Sequence, residues 1–331
     1  MSVFRSINLT TIIAVYLLIL IGGIVRTLGA GMGCPDWPKC FGQYSPPASE
    51  IELPQDYRQI YTQMRLEKSQ RLAKVLSAIG FQRASDTIMN EPVVATETSY
   101  SFSKAWIEYI NRLVGVLIGL LIILNAWWSY KVRNTSSSLL ILGIIALILV
   151  IFQGWVGSLV VATNLLPGFI TFHMILALLL VAILLVQQIK VRPIKIHFSG
   201  KWLVSILLLA FFAQIILGTG VREQIDALVH QGVIRGEWID QLGIRFYIHR
   251  SFSILIIILT VGLFWVNRSN LKDPYLLGIA GVIGLEILLG IILAYFNVPS
   301  FAQPVHLLLG SVGFGLIFYL FLSTNFRHRV N

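Results

Sequence analysis

Apolar runs of about 20 residues, each closed by a charged or turn-forming cluster, recur along the chain. Eight are visible, at roughly 9–28, 105–129, 138–161, 167–189, 202–220, 244–266, 275–295 and 302–323. This is the length a helix needs to cross a bilayer. The first run differs from a secretion leader, because its apolar stretch is long, Arg26 interrupts its end and no Ala-x-Ala site follows. The pattern predicts an all-α polytopic membrane protein with eight transmembrane helices.

Composition agrees. Of 331 residues 56% are apolar and 12% charged, with mean hydropathy +0.80, whereas a soluble domain is about a quarter charged. The same figures exclude a disordered chain, and two cysteines exclude a disulfide scaffold. The net charge of +10 would suggest nucleic acid in a soluble protein. Here the charges flank the apolar runs and report topology instead. Arg5, Lys131, Arg133, Lys190, Arg192, Lys195, Lys201, Arg268, Lys272, Arg327 and Arg329 fall on one side, while the short connections 161–167 and 296–304 carry no charge. Both termini are therefore expected in the cytoplasm of a cell with this protein in its inner membrane. Two longer segments, 29–104 and 221–243, are expected outside. The first has an amphipathic stretch (Ile60, Met64, Leu72, Val75, Leu76, Ile79) suited to a membrane surface, or it is a partly ordered lid or spacer. The second reads as a short helical cap carrying His230. Neither a P-loop nor a GxSxG is present.

The chain repeats itself. Helices 3–4 align with 7–8 at an offset of 133 residues, pairing Gly157 with Gly290, Asn164 with Asn297 and His173 with His306. Helix 2 aligns with helix 6 at offset 138, setting Tyr109-Ile110-Asn111-Arg112 against Tyr247-Ile248-His249-Arg250. Helix 1 aligns with helix 5 at offset 196, setting Gly22, Val25 and Arg26 against Gly218, Val221 and Arg222. Each half starts inside and has four spans, so the repeats are parallel. Two four-helix bundles related by a pseudo-two-fold along the membrane normal follow, 1–195 with the long outer loop and 196–331.

His249 and His306 lie at similar depth near the outer ends of helices 6 and 8. Two histidines from facing helices are what axial ligation of one haem iron requires. Arg250 and Arg222 stand where haem propionates would reach the interface. In the other half His173 keeps its place but helix 2 carries Asn111, a poor haem ligand, which leaves an open iron position. Glu108 shares a helix face with Asn111, and an intramembrane carboxylate is costly enough to suggest function. Its plain alternative is a salt bridge to Arg112 or Arg26. An open haem site beside an acid is a reaction site, and a two-histidine site an electron-transfer or structural one. Cys34 and Cys40 lie in Cys34-Pro-Asp-Trp-Pro-Lys-Cys40. An oxidising compartment favours a disulfide there, worth about 2–2.5 kcal/mol for so short a loop; an exposed, redox-active pair is the other reading. Glu286 and its repeat partner Gln153 read as interhelical hydrogen-bonding groups, with a proton relay as the alternative for Glu286. His197 and His328 sit in basic, solvated segments.

Taken together, Gly22-Gly23-Ile24-Val25-Arg26-Thr27, Cys34-Pro-Asp-Trp-Pro-Lys-Cys40-Phe-Gly42, Glu108-Tyr-Ile-Asn-Arg112, Gln153-Gly154-Trp155-Val156-Gly157, Gly220-Val-Arg-Glu-Gln-Ile-Asp226, His249-Arg250 and Pro304-Val-His306 resemble the haem A synthase family of cytochrome oxidase assembly. The resemblance implies a b-type haem cofactor ligated at His249 and His306. It implies that substrate haem O binds in the amino-terminal half near His173 and Glu108, with Asn111, Arg112 and Arg26 around it. Family members oxidise the C8 methyl of haem O to a formyl group by successive hydroxylation and loss of water. The family's outer-loop cysteine pair is held to form a disulfide linked to activity. One departure stands out: the family pattern on helix 2 is Glu-x-x-His, and Asn111 occupies the histidine position. The second cysteine pair of some members is also absent. Candidate partners are haem O, membrane lipids, a haem O synthase, an electron donor or acceptor and a further copy of the chain, with no nucleic acid. The competing reading is a non-enzymatic bis-His cytochrome b carrying electrons, against which Asn111 argues. A transporter would need helix breaks near the midplane, and a haem O-forming prenyltransferase would need paired aspartate motifs that the spans lack.

Overall fold

The computed structural model describes residues 1–90, 99–166, 168–192 and 198–325. Pro167, Lys195, His197, Arg327, His328 and Arg329 lie outside the described residues. Among the described residues the regular elements are helical: α1 (Ser2–Thr27), α2 (Tyr57–Ala78), α3 (Gln82–Asn90), α4 (Phe102–Lys131), α5 (Ser137–Ala162), α6 (Phe169–Val191), α7 (Lys201–His230), α8 (Trp238–Gln241), α9 (Ile244–Val266), α10 (Pro274–Tyr295) and α11 (Ala302–Asn325). All but α2, α3 and α8 are long and apolar enough to span a bilayer, giving eight spans among the described residues. The protein is an all-α polytopic membrane protein.

The repeat is visible in the element boundaries. Ala162 and Tyr295 end α5 and α10, 133 residues apart, and Phe169 and Ala302 begin α6 and α11 at the same offset. The turns between them match as well. Asn164 and Leu165 have φ of 52° and 62°, and Asn297 and Val298 have 56° and 53°. In each turn the second residue's N–H reaches back five residues, Leu165 to the Val160 carbonyl and Val298 to that of Leu293. This closes the helix end with a left-handed cap, where asparagine is the best tolerated residue after glycine.

Contacts group the chain into two compact units. One comprises Met1–Gly23, Ile118–Val150 and the described residues from Ile175 onward; the other comprises Ile24–Leu117 and Ile151–Met174. In the first, α7 packs on α9 and α11, and α10 packs on α11 and α9. The four close a ring in which α9 and α11 stand on a diagonal. Alongside, α1 follows α11. A Cβ on Gly23 would stand 3.1 Å from the Pro304 side chain, and one on Gly315 would collide with the Tyr16 hydroxyl, so glycine permits the close approach. Asn8, fully buried, ties three helices together. Its amide donates to the Leu184 carbonyl at 3.0 Å and to Gln188 Oε1 at 2.9 Å, and its Oδ1 accepts from Asn125 Nδ2 at 3.0 Å.

α7 overruns its expected end near residue 220, reaching His230 as a 30-residue helix. That is about 45 Å at 1.5 Å per residue, against a hydrocarbon core of about 30 Å. The extension persists because Val221, Ile225 and Leu228 share a helix face and pack with Trp238, Leu242 and Val298. The expected helical cap is thus mostly the end of α7.

In the second unit the long α1–α4 connection is ordered around aromatic rings. The Asp36 carboxylate accepts from the amides of Phe41 (2.7 Å) and Gly42 (2.9 Å), and the Phe41 ring meets Tyr57, Tyr61 and Tyr100 edge-on. Burial and, secondarily, the nearby Asp36 charge push the Tyr61 phenol up to about 12, so this phenol stays neutral at physiological pH. On α2 the expected apolar stripe divides. Leu72 is buried and Leu76 packs beside it, but Ile60, Met64, Val75 and Ile79 are exposed. The inward face instead carries Tyr57, Arg65, Ser69, Leu72 and Ala73. It is chosen by its partners: Ser69 Oγ donates to the Ala162 carbonyl at 2.8 Å, satisfying an orphan acceptor at the end of α5.

The left-handed turn that seats α11 gives a direct test. Asn297→Gly should leave stability nearly unchanged, whereas Asn297→Val should cost about 1–2 kcal/mol, the penalty for a β-branched residue in that conformation. Thermal midpoints of the two purified variants in detergent check the difference.

Candidate functional site

Three histidines occupy equivalent places. His173 and His306 are the fifth residues of α6 and α11, and His249 is the sixth of α9. Each ring lies against a glycine of the helix it packs on. An added Cβ would meet His249 Cε1 at 3.0 Å from Gly218, His173 Cε1 at 3.4 Å from Gly157 and His306 Cε1 at 3.9 Å from Gly290. All three Nδ1 atoms are buried without a hydrogen-bond partner. At Gly22, the repeat counterpart of Gly218, a Cβ would meet nothing within 4 Å.

Across the diagonal of the α7–α9–α10–α11 ring, the His249 and His306 rings stand 6.4 Å apart, centre to centre, and perpendicular at 89°. A metal–nitrogen bond of about 2 Å, with the ring centre about 1.1 Å beyond the nitrogen, would set two imidazoles sharing one metal about 6.3 Å apart. The donor set and spacing therefore fit a single haem iron. Around the pair, Gln214 Nε2 donates to the His249 carbonyl at 3.0 Å, and Glu286 Oε2 lies 3.0 Å from His306 Nδ1. The two arginines expected here behave differently. Arg222 is tied to the Gln303 side chain and, at 2.7 Å, to Asp226. Arg250 is exposed and stacks on Phe246 and Tyr247, its guanidinium 5.8 and 5.3 Å from the ring centres. His230 is exposed at the end of α7.

In the second unit Glu108 and Arg112, one turn apart on α4, form an ion pair. Glu108, 3% exposed, also accepts the Cys34 amide on Oε2 at 2.7 Å. Arg112 donates to the backbone carbonyls of Cys34 (2.8 Å), Asp36 (2.7 Å) and Lys39 (2.8 Å). The pair therefore grips the 34–40 loop, which the Cys34–Cys40 disulfide closes. Gly33 completes the fit, since a Cβ there would strike the Lys104 carbonyl. Asn111 Oδ1 and Trp106 Nε1 are buried and unpartnered on the same stretch of α4. On the α5–α6 hairpin, Gln153 Nε2 donates to the His173 carbonyl at 3.0 Å. Arg26 is half-buried in the last turn of α1.

Sequence reasoning named His173, His249, His306, Glu108 and Arg112 but missed two features. Arg112 as the clamp of the disulfide loop was invisible, because its acceptors are backbone carbonyls more than 70 positions away. Gln214 gave no repeat signal, since Leu18 stands at its counterpart position.

The fold and site define a class: a helical membrane protein with eight spans among the described residues, two of whose helical hairpins match and whose spans carry imidazoles seated on glycines. The family model COX15-CtaA, described as Cytochrome oxidase assembly protein, matches residues 5–75 and 81–318, and the chain belongs to that family. Among curated relatives, Heme A synthase of Ehrlichia canis is 25% identical, over 93% of this chain and 89% of its own length. Heme A synthase of Shouchella clausii is 22% identical over 98% of each. For Heme A synthase of Shewanella oneidensis the match is 25% identical over 71% of this chain and 62% of that protein.

The clamp yields a prediction. Thiol reagents should leave Cys34 and Cys40 unmodified until a reductant is added. Arg112→Ala removes three carbonyl bonds, so the disulfide should be reduced at least several-fold faster. Mass spectrometry of alkylated protein over a reduction time course measures this, and equal rates would show that the clamp does not shield the loop.

Proposed function

We propose that the protein is a haem-dependent membrane oxidoreductase that converts the C8 methyl of haem O to the formyl group of haem A. The observation that carries this reading is the perpendicular His249–His306 pair at 6.4 Å, inside a four-helix ring. Membership of the cytochrome oxidase assembly family and the likeness to proteins named Heme A synthase support it. His249 and His306 hold a resident haem b, which supplies one-electron transfer. Arg250 and Arg222 would supply positive charge for its propionates. Substrate haem O occupies the amino-terminal half, 1–195, and the cofactor the carboxyl-terminal half, 196–331, as two related bundles. The termini are cytoplasmic and both sites lie near the outer face of the inner membrane.

The residues of the amino-terminal half then have distinct tasks. His173 ligates the substrate iron through one face, its ring held upright by Gly157 and its backbone by Gln153. Asn111, where the family has histidine, leaves the other position weakly occupied. Glu108 accepts a proton, or stabilises positive charge, as the methyl group is oxidised. Arg112 and Arg26 supply positive charge for the substrate's propionates. A purely electron-carrying cytochrome would retain a second histidine pair, which Asn111 breaks.

Haem extracted from cells that express this chain with a haem O source should include the aldehyde-bearing product. Its absence, with protein present in the membrane, would overturn the activity. His249→Ala or His306→Ala should abolish or strongly shift a low-spin b-type spectrum, and a wild-type spectrum in both variants would refute the ligand assignment.

In the other half, Asn111→His should make bound substrate haem more low-spin. Glu108→Gln should leave binding largely intact and lower haem A yield per bound haem O at least tenfold, within the range typical of proton-transfer groups. Undiminished yield in Glu108→Gln would leave the carboxylate as a support of the disulfide loop.

A further inference from the structure

We infer that Glu286 is a positioning residue for the cofactor iron: its carboxylate accepts the Nδ1 hydrogen of His306 and so orients that imidazole and strengthens it as a ligand. The inference rests on the haem reading above.

Three side chains at comparable places serve the three histidines, and only one of them is an acid. Gln153 and Gln214 spend an amide N–H on the backbone carbonyls of His173 and His249, both at 3.0 Å. Glu286, the repeat partner of Gln153, has no N–H to give. It turns to the ring instead, with Oε2 3.0 Å from His306 Nδ1. The same oxygen lies over α11 beside Gly310, one turn beyond His306, where a Cβ would stand 3.8 Å from it in ordinary contact. The oxygen lies off the N–H axis, so the contact does not meet the angle of a hydrogen bond. Ligation through Nε2 fixes the tautomer with hydrogen on Nδ1, and a rotation of the ring then brings donor and acceptor into line. Ligating histidines ordinarily direct their second nitrogen at a carboxylate or carbonyl in this way.

The chemical consequence has a sign. Pulling the Nδ1 hydrogen toward a carboxylate pushes electron density onto Nε2 and favours ferric over ferrous iron. An amide at the same place keeps the packing and an acceptor oxygen but gives a weaker pull. A residue that merely fills space between α10 and α11 would leave the iron's potential unmoved under that replacement.

The test is a spectroelectrochemical titration of the full-length, haem-loaded protein at one pH, comparing wild type with Glu286→Gln. The low-spin spectrum and haem content should persist. The ferric/ferrous equilibrium should shift about tenfold toward ferrous, a rise of about 59 mV for one electron. A haem-loaded Glu286→Gln with an unmoved potential overturns this inference alone. If Glu286→Gln loses the haem, Glu286→Asp decides. Restored haem with a wild-type-like potential upholds the carboxylate–imidazole contact, and haem loss there too assigns Glu286 to packing and overturns it. A wild-type protein without low-spin haem, or His306→Ala that retains it, overturns the haem reading and this inference together.

Discussion

A polar side chain inside a bilayer has no water to return to, so it must find its partner within the protein or on a ligand. That constraint organises this molecule more than helix packing does, because apolar helix surfaces gain little from leaving lipid for one another. Where polar groups find partners on a neighbouring helix, they weld helices: Asn8 with Asn125 and Gln188 forms one such set, and the glutamine amides on histidine carbonyls form two more. Other buried polar atoms find no partner within the described residues. The orphaned Nδ1 atoms of His173, His249 and His306, with Asn111 Oδ1 and Trp106 Nε1, sit toward the starts of the helices that carry them. Such groups are tolerable when a bound group completes them.

Duplication explains why the unsatisfied groups occur in matched positions, and where the copies have parted. The α5–α6 and α10–α11 hairpins share their ends, their left-handed turns and a histidine seated on a glycine. A device that places an imidazole correctly once places it correctly twice. The connections after the first helix of each half differ in backbone, but within the matched hairpins the differences that bear on the histidines are single side chains. Asn111 stands where the other half has the imidazole of His249, and Glu286 stands where the other half has the amide of Gln153.

The spans are legible in the sequence because twenty consecutive apolar residues suit the interior of a bilayer and little else. Their ends are less so: α7 runs past its expected end on Val221, Ile225 and Leu228, which pack with Trp238 across a turn and with Val298, distant in sequence. For the same reason the apolar stripe of α2 misleads. Its inward face is set by the Ala162 carbonyl, which takes Ser69, and by the Phe41 ring, which takes Tyr57 and Tyr61, while Ile60 and Met64 stay exposed. The histidines are legible through the repeat, which acts as an internal comparison. Gln214 and the Arg112 clamp have no counterpart and no local signature, so only the fold reveals them.

Glu108 concentrates the tension between holding a structure and doing chemistry. Its two oxygens are both engaged, one with the Cys34 amide and one with Arg112. On the reading proposed above, a proton arriving at Glu108 would weaken its hold on one of these two donors, since a protonated carboxyl is a poorer acceptor than a carboxylate. Releasing Arg112 would leave a half-buried guanidinium still held by three carbonyls of the 34–40 loop, so the cation has compensation. Releasing the Cys34 amide would strand a backbone donor that the disulfide keeps in place, which costs about 1–3 kcal/mol. Of the two exchanges the first is the easier, and it moves no backbone. On that reading the disulfide loop would hold the Cys34 amide fixed against the carboxylate, and Arg112 would be the partner that yields.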